Sequence, residues 1–508
     1  MKVTRKLKFA KKYISNSLFI NINYFKEIFS NDETIRYRYI ENETENSTIF
    51  SIKAQLIYTE SMVDNQFIID NIITPLTESK QIYIDSQETI IEQLANRVIV
   101  ANDVKVSSNI DKLTQAVVCG NTVLLLEGSN EALIIDTQGW KSRSIEEPEA
   151  EKTLRGPKEG FTEAIMINVS MVKRKLQTPN LKFEFDEIGL QTKTKVALCY
   201  VKGIVNEGIL IELRKRLQDI EIDGIFDSGY IQELIKDEPL SPYKTIGTTE
   251  RPDVVAAKIL EGRIALLVDG TPVALTIPHL FIEYFQSPDD YYKNFYYSSF
   301  NRLMRIAAYF ISFALPALYI AITTYHQEMI PTPLLLNIFN ARQGIPFPAI
   351  LEALLLLFAF EVLRETGTRM PTYIGQAMSI VGALVLGQAA VEARFVSAPM
   401  VIVIAMSGIT GLMLPALTGS MILLRVFLIF VSSLLGMYGF VFGLAAVLIH
   451  LLNLRSFGVP YMTNINIMDL KNLQDTAVRM PWWFMKNRPE FIAIRNKKRQ
   501  NAGRVNPK

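Results

Sequence analysis

Residue types that build chemical sites are scarce in this sequence of 508 residues, which holds two cysteines, three histidines and three tryptophans. Cys119 and Cys199 both lie among apolar neighbours, which argues against a disulfide framework and for buried thiols in a reducing compartment. His279, His326 and His450 are scattered, with no cysteine or histidine at ligand spacing, so no metal centre is expected. There is no phosphate loop, no GxSxG and no histidine-containing acid–base pair. The adjacent acids Glu146 and Glu147 sit in a charged stretch that reads as solvated. These absences point away from an enzyme and from any cofactor. The near-balance of 53 basic and 51 acidic residues gives no reason to expect a nucleic-acid partner. The basic start, MKVTRKLKFAKKYIS, lacks a following apolar stretch of signal-peptide length, so the first part of the chain is expected to stay in the cytoplasm.

What the sequence does have is long uncharged runs. Between Arg305 and His326 the string IAAYFISFALPALYIAITTY carries no charge, and about 20 residues rising 1.5 Å each cross a hydrocarbon core of ~30 Å. The expected fold is therefore an α/β cytoplasmic region of two related subdomains followed by an all-α polytopic membrane domain. Its expected parts are a basic and polar arm (1–45), two α/β subdomains (46–150 and 151–292), a transmembrane helical domain (303–452) and a basic tail (453–508). Residues 46–292 hold no span-length apolar run and are expected to fold alone.

Within the soluble part, FSIKAQLIYTE reads as a strand and DNQFIIDNIITPL as a helix ending before Pro75. TVLLLEG and ALIIDT flank a turn at Gly128, and IALLVDG and TPVALTIP flank one at Asp269-Gly270, so two hairpins are expected. The charged segment 141–160, with Pro148, Gly156 and Pro157, reads as a linker. Shifting the chain by 142 residues without gaps places Asp111 on Asp253, Gly120 on Gly262, Leu124 on Leu266 and Gly128 on Gly270. A duplicated helix–hairpin unit is expected, each helix ending at a glycine suited to a left-handed C-cap.

The membrane part contains five apolar segments. The first is the run before His326. A proline-rich stretch follows, too short to cross, and then AILEALLLLFAFEVLRETGTRMP with Glu352 and Glu361. Tyr373–Val391 has small residues at Ser379, Ala383 and Gly387, and Phe395–Leu414 and Val426–Ile449 complete the set. Lys293, Arg302 and Arg305 precede the first span and Arg455 and Lys471 follow the last, so both ends are expected on the cytoplasmic side. That requires an even number of crossings, so either the segment with Glu352 and Glu361 does not cross fully or the proline-rich one does.

Ionisable groups at membrane depth are expensive, so they are functional candidates. Glu352 and Glu361 are nine positions apart, about half a turn out of phase on a straight helix, and cannot face one lumen together. Glu361–Arg364 and Glu365–Arg369 have helical ion-pair spacing and read first as packing and anchoring. Glu352 is then the stronger candidate for a shared lumen, where acidic rings favour cations; the competing reading buries it against Gln376 or Gln388. Gln388 and Glu392 share a face. Arg425 is either an interfacial anchor or a gate, and Trp482, Trp483, Lys486 and Arg488 read as docking the tail on the membrane surface.

RGPKEGFTEAIMINVSMVKRKL, TERPDVVAAKILEGRIALLVDGTP, FQSPDDYY, LPALYIAITTYHQEMIPTPLL, IGQAMSIVGALVLGQAAVEA and HLLNLRSFGVPY, in this order, resemble the A subunit of GerA-type spore germinant receptors. The resemblance runs from about Phe50 to Tyr461. It implies a multi-pass protein of the spore inner membrane that works with a polytopic, transporter-like B subunit and a lipoprotein C subunit. It also implies self-oligomerisation and an ion-conducting path that turns nutrient binding into germination. Where the family commonly carries a Pro-Asn-Tyr-like sequence this chain has Pro415-Ala416-Leu417, which keeps the related stage V sporulation protein AF in view. The alternatives are a secondary transporter, for which inverted repeats would be expected in the membrane part, and an accessory germination membrane protein with no germinant of its own.

Overall fold

The computed structural model describes residues 12–42, 52–78, 90–101, 103–139, 151, 153, 155–369, 387–462, 475–489, 491–492, 496 and 498–499. They divide into two compact units. The first takes the described residues of 12–236, 246–278 and 487–499, and the second those of 237–245 and 279–486.

The first unit is a duplication. In chain order its first half runs α1 (Leu18–Ile28), β1 (Ile35–Asn42), β2 (Ile52–Thr59), α2 (Asn65–Ile68), a π-helical turn (Ile69–Ile73), α3 (Thr74–Glu78), α4 (Ile90–Gln93), β3 (Val104–Ser107), α5 (Ile110–Val118), β4 (Thr122–Leu126) and β5 (Ala132–Ile135). The second half runs α6 (Ile165–Lys175), β6 (Leu181–Ile188), β7 (Thr194–Val201), α7 (Glu207–Gln218), α8 (Ser228–Ile235), β8 (Gly247–Thr249), α9 (Pro252–Leu260), β9 (Ile264–Val268) and β10 (Ala274–Ile277). Each half forms one antiparallel sheet, ordered β1-β2-β4-β5-β3 and β6-β7-β9-β10-β8. The register repeats as well as the order. Leu56 faces Leu124, Leu124 faces Leu133 and Val106 faces Leu133 in the first sheet; adding 142 to each number gives the pairs Leu198–Leu266, Leu266–Leu275 and Thr248–Leu275 of the second. Gly120 and Gly262, the left-handed residues behind α5 and α9, match in the same way, with φ of 93° and 104°.

The helix entries are duplicated too. The free N–H of Leu18 donates to the Glu127 carboxylate at 2.9 Å, and that of Ile165 to Asp269 at 3.0 Å, so in each half an acid from the hairpin turn caps the leading helix. Asn21 holds Ser15 and Asn168 holds Thr162 by paired side-chain-to-backbone bonds. Strand β4 is buried along its whole length because both faces of its sheet are covered. Val123 and Leu125 pack with Phe25 of α1 and Leu113 of α5, while Leu124 and Leu126 pack with Ile68 and Ile72.

Two expectations need correction. The segment read as an arm supplies α1 and β1, because Phe25, Ile28, Phe29, Ile35 and Ile40 are buried in the first core and outweigh the polar composition around them. A fragment beginning at residue 46 would thus lose a sheet edge and a core helix. The helix read as ending before Pro75 continues past it. The π-turn precedes Pro75, and the Asn71 carbonyl, which a proline four residues on cannot serve, accepts instead from Val100 at 3.3 Å. In the segment read as a linker, Glu146 and Glu147 lie outside the described residues, and Glu151, Thr153 and Pro157 are held in place. The fully buried Arg251 reaches Glu151 O (3.3 Å), Thr153 Oγ1 (2.9 Å) and Pro157 O (2.7 Å) and pairs with Asp253. Among the described residues both cysteines are free thiols, Cys199 buried and Cys119 half-buried.

The two halves join through buried lysines. Lys173 of α6 pairs with Asp32 at 3.1 Å and bonds Thr34 Oγ1, Lys182 Nζ donates to Ile28 O at 3.0 Å, and Glu33 N–H donates to Phe183 O at 3.0 Å. Arg488 also belongs to this unit: Nε donates to Leu260 O at 2.6 Å.

The second unit is helical: α10 (Asp289–Tyr292), α11 (Phe295–Tyr325), α12 (Thr332–Arg342), α13 (Ala349–Arg369), α14 (Ala398–Gly411) and α15 (Thr418–Asn453). Two stretches, Phe295–Tyr325 and Pro415–Asn453, are long and apolar enough to cross a membrane. The second is not one rod. Gly436 inside α15 has φ 62° and ψ −137°, which reverses the chain. Ser420 bonds Pro242 O and His450 bonds Ser241 Oγ, although on a straight helix these two residues would stand about 45 Å apart. A Cβ on Gly443 would meet Leu428, and one on Gly436 would stand 2.8 Å from the Tyr325 Cβ. Tyr325 Oη donates to the Ser433 carbonyl, which the break leaves without a helical partner. The apolar segment expected as the fifth span is therefore part of a helical hairpin of two limbs, made by a glycine that no side chain could replace without strain.

Burial lowers the Lys182 ammonium to about 8, against the opposing pull of Asp32. A lysine depressed in the folded state penalises folding fully below that pH, and the penalty disappears as the pH rises towards the unfolded value. Lys182→Met should therefore raise the denaturation midpoint most near pH ~7, and its advantage should shrink by pH ~10. Chemical denaturation across that range checks this; an advantage independent of pH contradicts it.

Candidate functional site

One cluster of buried polar and charged groups in the helical unit gathers around a proline. Pro316 lies inside α11 and has no N–H, so the carbonyl four residues earlier, on Ser312, loses its helical donor. Two other helices supply replacements: Arg425 Nε of α15 donates to Ser312 O at 2.8 Å and Ser407 Oγ of α14 at 2.5 Å. Arg425 Nη2 adds bonds to Ser312 Oγ (3.1 Å) and Ser407 O (3.4 Å). Ser312 and Ser407 are fully buried and Arg425 nearly so. Two glycines of α14 let the helices close. A Cβ on Gly411 would stand 3.1 Å from Ser312 Oγ, and one on Gly408 only 2.4 Å from the Phe360 ring of α13.

Arg425 carries the network on to α13. Its Nη1 lies 3.6 Å from Glu361 Oε1, while Arg364 Nη2 lies 2.6 Å from Glu361 Oε2. The expected Glu361–Arg364 pair is present, but Glu361 is shared with Arg425, which is neither a surface anchor nor separate from the acid. Glu365 and Arg369 pair at 2.7 Å and are well exposed. The two halves of the charge cluster thus face different surroundings.

Glu352 is fully buried. Its carboxylate pairs with Arg342 of α12 at 3.2 Å and accepts from the backbone N–H (2.9 Å) and hydroxyl (2.8 Å) of Ser397, the residue that opens α14. It ties three elements together and has no opening to a lumen within the chain. Of the two glutamines considered as its partner, the described one, Gln388, does not fill that role. Gln388 bonds Glu392 at 2.9 Å on an exposed face, and Gln376 lies outside the described residues, as do Ser379 and Ala383. Glu352 and Glu361 have separate partner sets, in keeping with their half-turn phase difference. Ser312, Ser407, Arg342 and Ser397 were not singled out from sequence. The one signal available for Ser312 was its position four residues before a proline in an uncharged run.

A second ionic cluster lies at the start of α11. Arg302, fully buried, pairs with Asp290 (2.9 Å) and Asp475 (2.7 Å), and Arg305 pairs with Asp290 at 2.5 Å. In sequence these arginines carried only an orientation signal; in the structure they have fixed acidic partners.

Comparison with known proteins places the chain. Residues 23–491 match the family model described as Bacillus/Clostridium GerA spore germination protein. The chain is 44% identical to spore germination protein KA of Bacillus subtilis (strain 168) over 88% of its own length and 82% of that protein. It is 40% identical to the uncharacterized membrane protein YfkQ of the same organism, over 89% and 88%. A crystal structure of the N-terminal domain of the A subunit of the Bacillus megaterium spore germinant receptor GerK3 is 34% identical, covering 53% of this chain and 97% of that one with a TM-score of 0.39. The chain belongs to the GerA family of spore germination proteins, the germinant-receptor A subunits.

Reversing the charges of the Glu361–Arg364 pair tests how the network is shared. Glu361→Arg sets a cation against Arg425, which should cost on the order of 3 kcal/mol of stability in detergent. Adding Arg364→Glu should restore little, because Arg425 still faces a cation. Full rescue by the double reversal would mean that Arg425 is not part of the pair.

Proposed function

We propose that this chain is the A subunit of a nutrient germinant receptor in the spore inner membrane. In this reading it oligomerises and transduces germinant binding into the ion release that starts germination, alongside a transporter-like B subunit and a lipoprotein C subunit. The observation that carries the reading is the family match over residues 23–491, joined to a set of charged side chains sequestered between apolar helices. Buried ionic networks between helices are costly in an apolar medium and are kept where a protein must hold or change a helix arrangement.

The hairpin at Gly436 favours a multi-pass arrangement with both ends in the cytoplasm, because it turns the last apolar segment into two limbs. Counting the sequence segment from Tyr373, most of which lies outside the described residues, the crossings then number six. A shared axis suits α13. Its exposed face carries Leu351, Leu355, Phe358 and Val362 and then Glu365 and Arg369, at alternating spacings of four and three. Such a stripe supplies a helix–helix seam or a hydrophobic constriction with charges at one mouth. This exposed face, and not the buried Glu352, is the part we assign to the axis.

Cation efflux from cells producing this chain with cognate B and C subunits tests the proposal. Germinant should trigger efflux only with all three chains present, and Phe358→Ser, which wets the stripe, should raise efflux without germinant by roughly tenfold at unchanged protein level. Germinant-triggered efflux that does not need this chain would overturn the reading, and an unchanged Phe358→Ser would remove α13 from the axis.

A further inference from the structure

The first three turns of α11 are built inside out. A helix on a soluble surface buries its apolar stripe, but here Ser298 and Arg302 are buried while Tyr296, Tyr297 and Phe300 are exposed, at 74%, 55% and 60%. The polar side is occupied by the ionic cluster. Arg302 holds Asp290 and Asp475, Tyr291 Oη donates to Asp475 at 2.7 Å, and Arg479 N–H donates to Ser299 Oγ at 3.1 Å. Residues 475–479 of the tail are thereby clamped to the start of the helix. The clamp sets the aromatic run behind it beside the exposed face: Trp482 lies 6.0 Å from Tyr291 and Trp483 6.1 Å from Phe295, and both tryptophans and Phe484 are partly exposed.

We infer that Tyr296, Tyr297, Phe300, Trp482, Trp483 and Phe484 form a docking surface for the headgroup region of a phospholipid bilayer, assembled by the Arg302–Asp475 clamp. The inference rests on the membrane reading given above. Length and continuity select the occupant. With 31 residues α11 is about 46 Å long, more than the ~30 Å hydrocarbon core and close to the 40–45 Å that includes both headgroup layers. The apolar stripe continues without a break along α11 through Leu303 to Phe310, so the aromatic face is the outer end of a surface that faces acyl chains further along. Tyrosine and tryptophan, apolar with a polar tip, suit that depth, and the exposed Lys486 supplies a cation for lipid phosphate. Within the clamp Arg302 and Arg305 balance Asp290 and Asp475, and the third arginine, Arg479, is buried against Tyr291 and Trp482, so the clamp fixes the tail without presenting its own charges to headgroups.

The sequence has three tryptophans, and the third, Trp140, lies outside the described residues. A Trp140→Phe variant of the full chain leaves Trp482 and Trp483 as the reporters. It would be reconstituted in phosphatidylcholine–phosphatidylglycerol vesicles carrying bromine either high or at the end of the acyl chain. Shallow bromine should quench the tryptophans at least roughly twofold more than deep bromine. Asp475→Asn, which loosens the clamp, should remove most of the quenching while the protein still sediments with the vesicles. Sedimentation without quenching by either lipid would overturn the docking surface, as would equal quenching by both. Unchanged quenching in Asp475→Asn would overturn the clamp. A chain that fails to sediment with vesicles would overturn the membrane reading itself, so the two failures are distinguishable.

Discussion

The helical unit depends on one carbonyl. Pro316 deprives Ser312 O of its donor, and an unserved carbonyl among apolar helices costs several kcal/mol. Arg425 and Ser407 answer that need at 2.8 and 2.5 Å, which forces α14 and α15 against α11 at one level. Burying Arg425 there then requires a counter-charge, and Glu361 of α13, itself held by Arg364, supplies it. Four helices are thus ordered by consequences of one missing N–H. The first unit solves the same problem in smaller form at Pro75, where the freed Asn71 carbonyl takes Val100 N–H.

The two units are stabilised by different chemistry. In the first, the repeated hairpin acids Glu127 and Asp269 cap helices from a distance in sequence, and the buried Lys173–Asp32 pair joins the halves. In the second, Glu352 and Arg425 each serve several helices. Glu352 joins α12, α13 and the opening of α14, and Arg425 joins α11, α14 and α13. A change at any of these residues would be felt across the helix arrangement.

Much of this was legible in sequence, and the limits were physical. The duplication could be read because β4, β5, β9 and β10 are strands dominated by apolar residues with glycine turns at the same spacing, and that local pattern survives any tertiary context. β1 could not be read, because its alternation of exposed Arg36 and Arg38 with buried Ile35 and Ile40 lies in a basic stretch and becomes a strand only by pairing with β2. The Glu361–Arg364 pair was legible from its spacing. The partners of Glu352, Arg302 and Arg425 were not, because each lies on another helix or in the tail, and sequence spacing carries no information about such contacts. The reversal at Gly436 was hidden for a related reason: apolar residues run on both sides of it, and hydropathy alone does not distinguish one long helix from two antiparallel limbs.

A double-mutant cycle between Pro316 and Arg425 tests the central claim most directly. Pro316→Ala restores an N–H for Ser312 O, so Arg425→Met should cost clearly less in that background than in the native one. The expected coupling is on the order of 1–2 kcal/mol in unfolding from detergent micelles, with the loss of the Glu361 contact cancelling between the two arms. Costs that add within about 0.5 kcal/mol would contradict it, and would mean that Arg425 is held in the bundle for Glu361 alone.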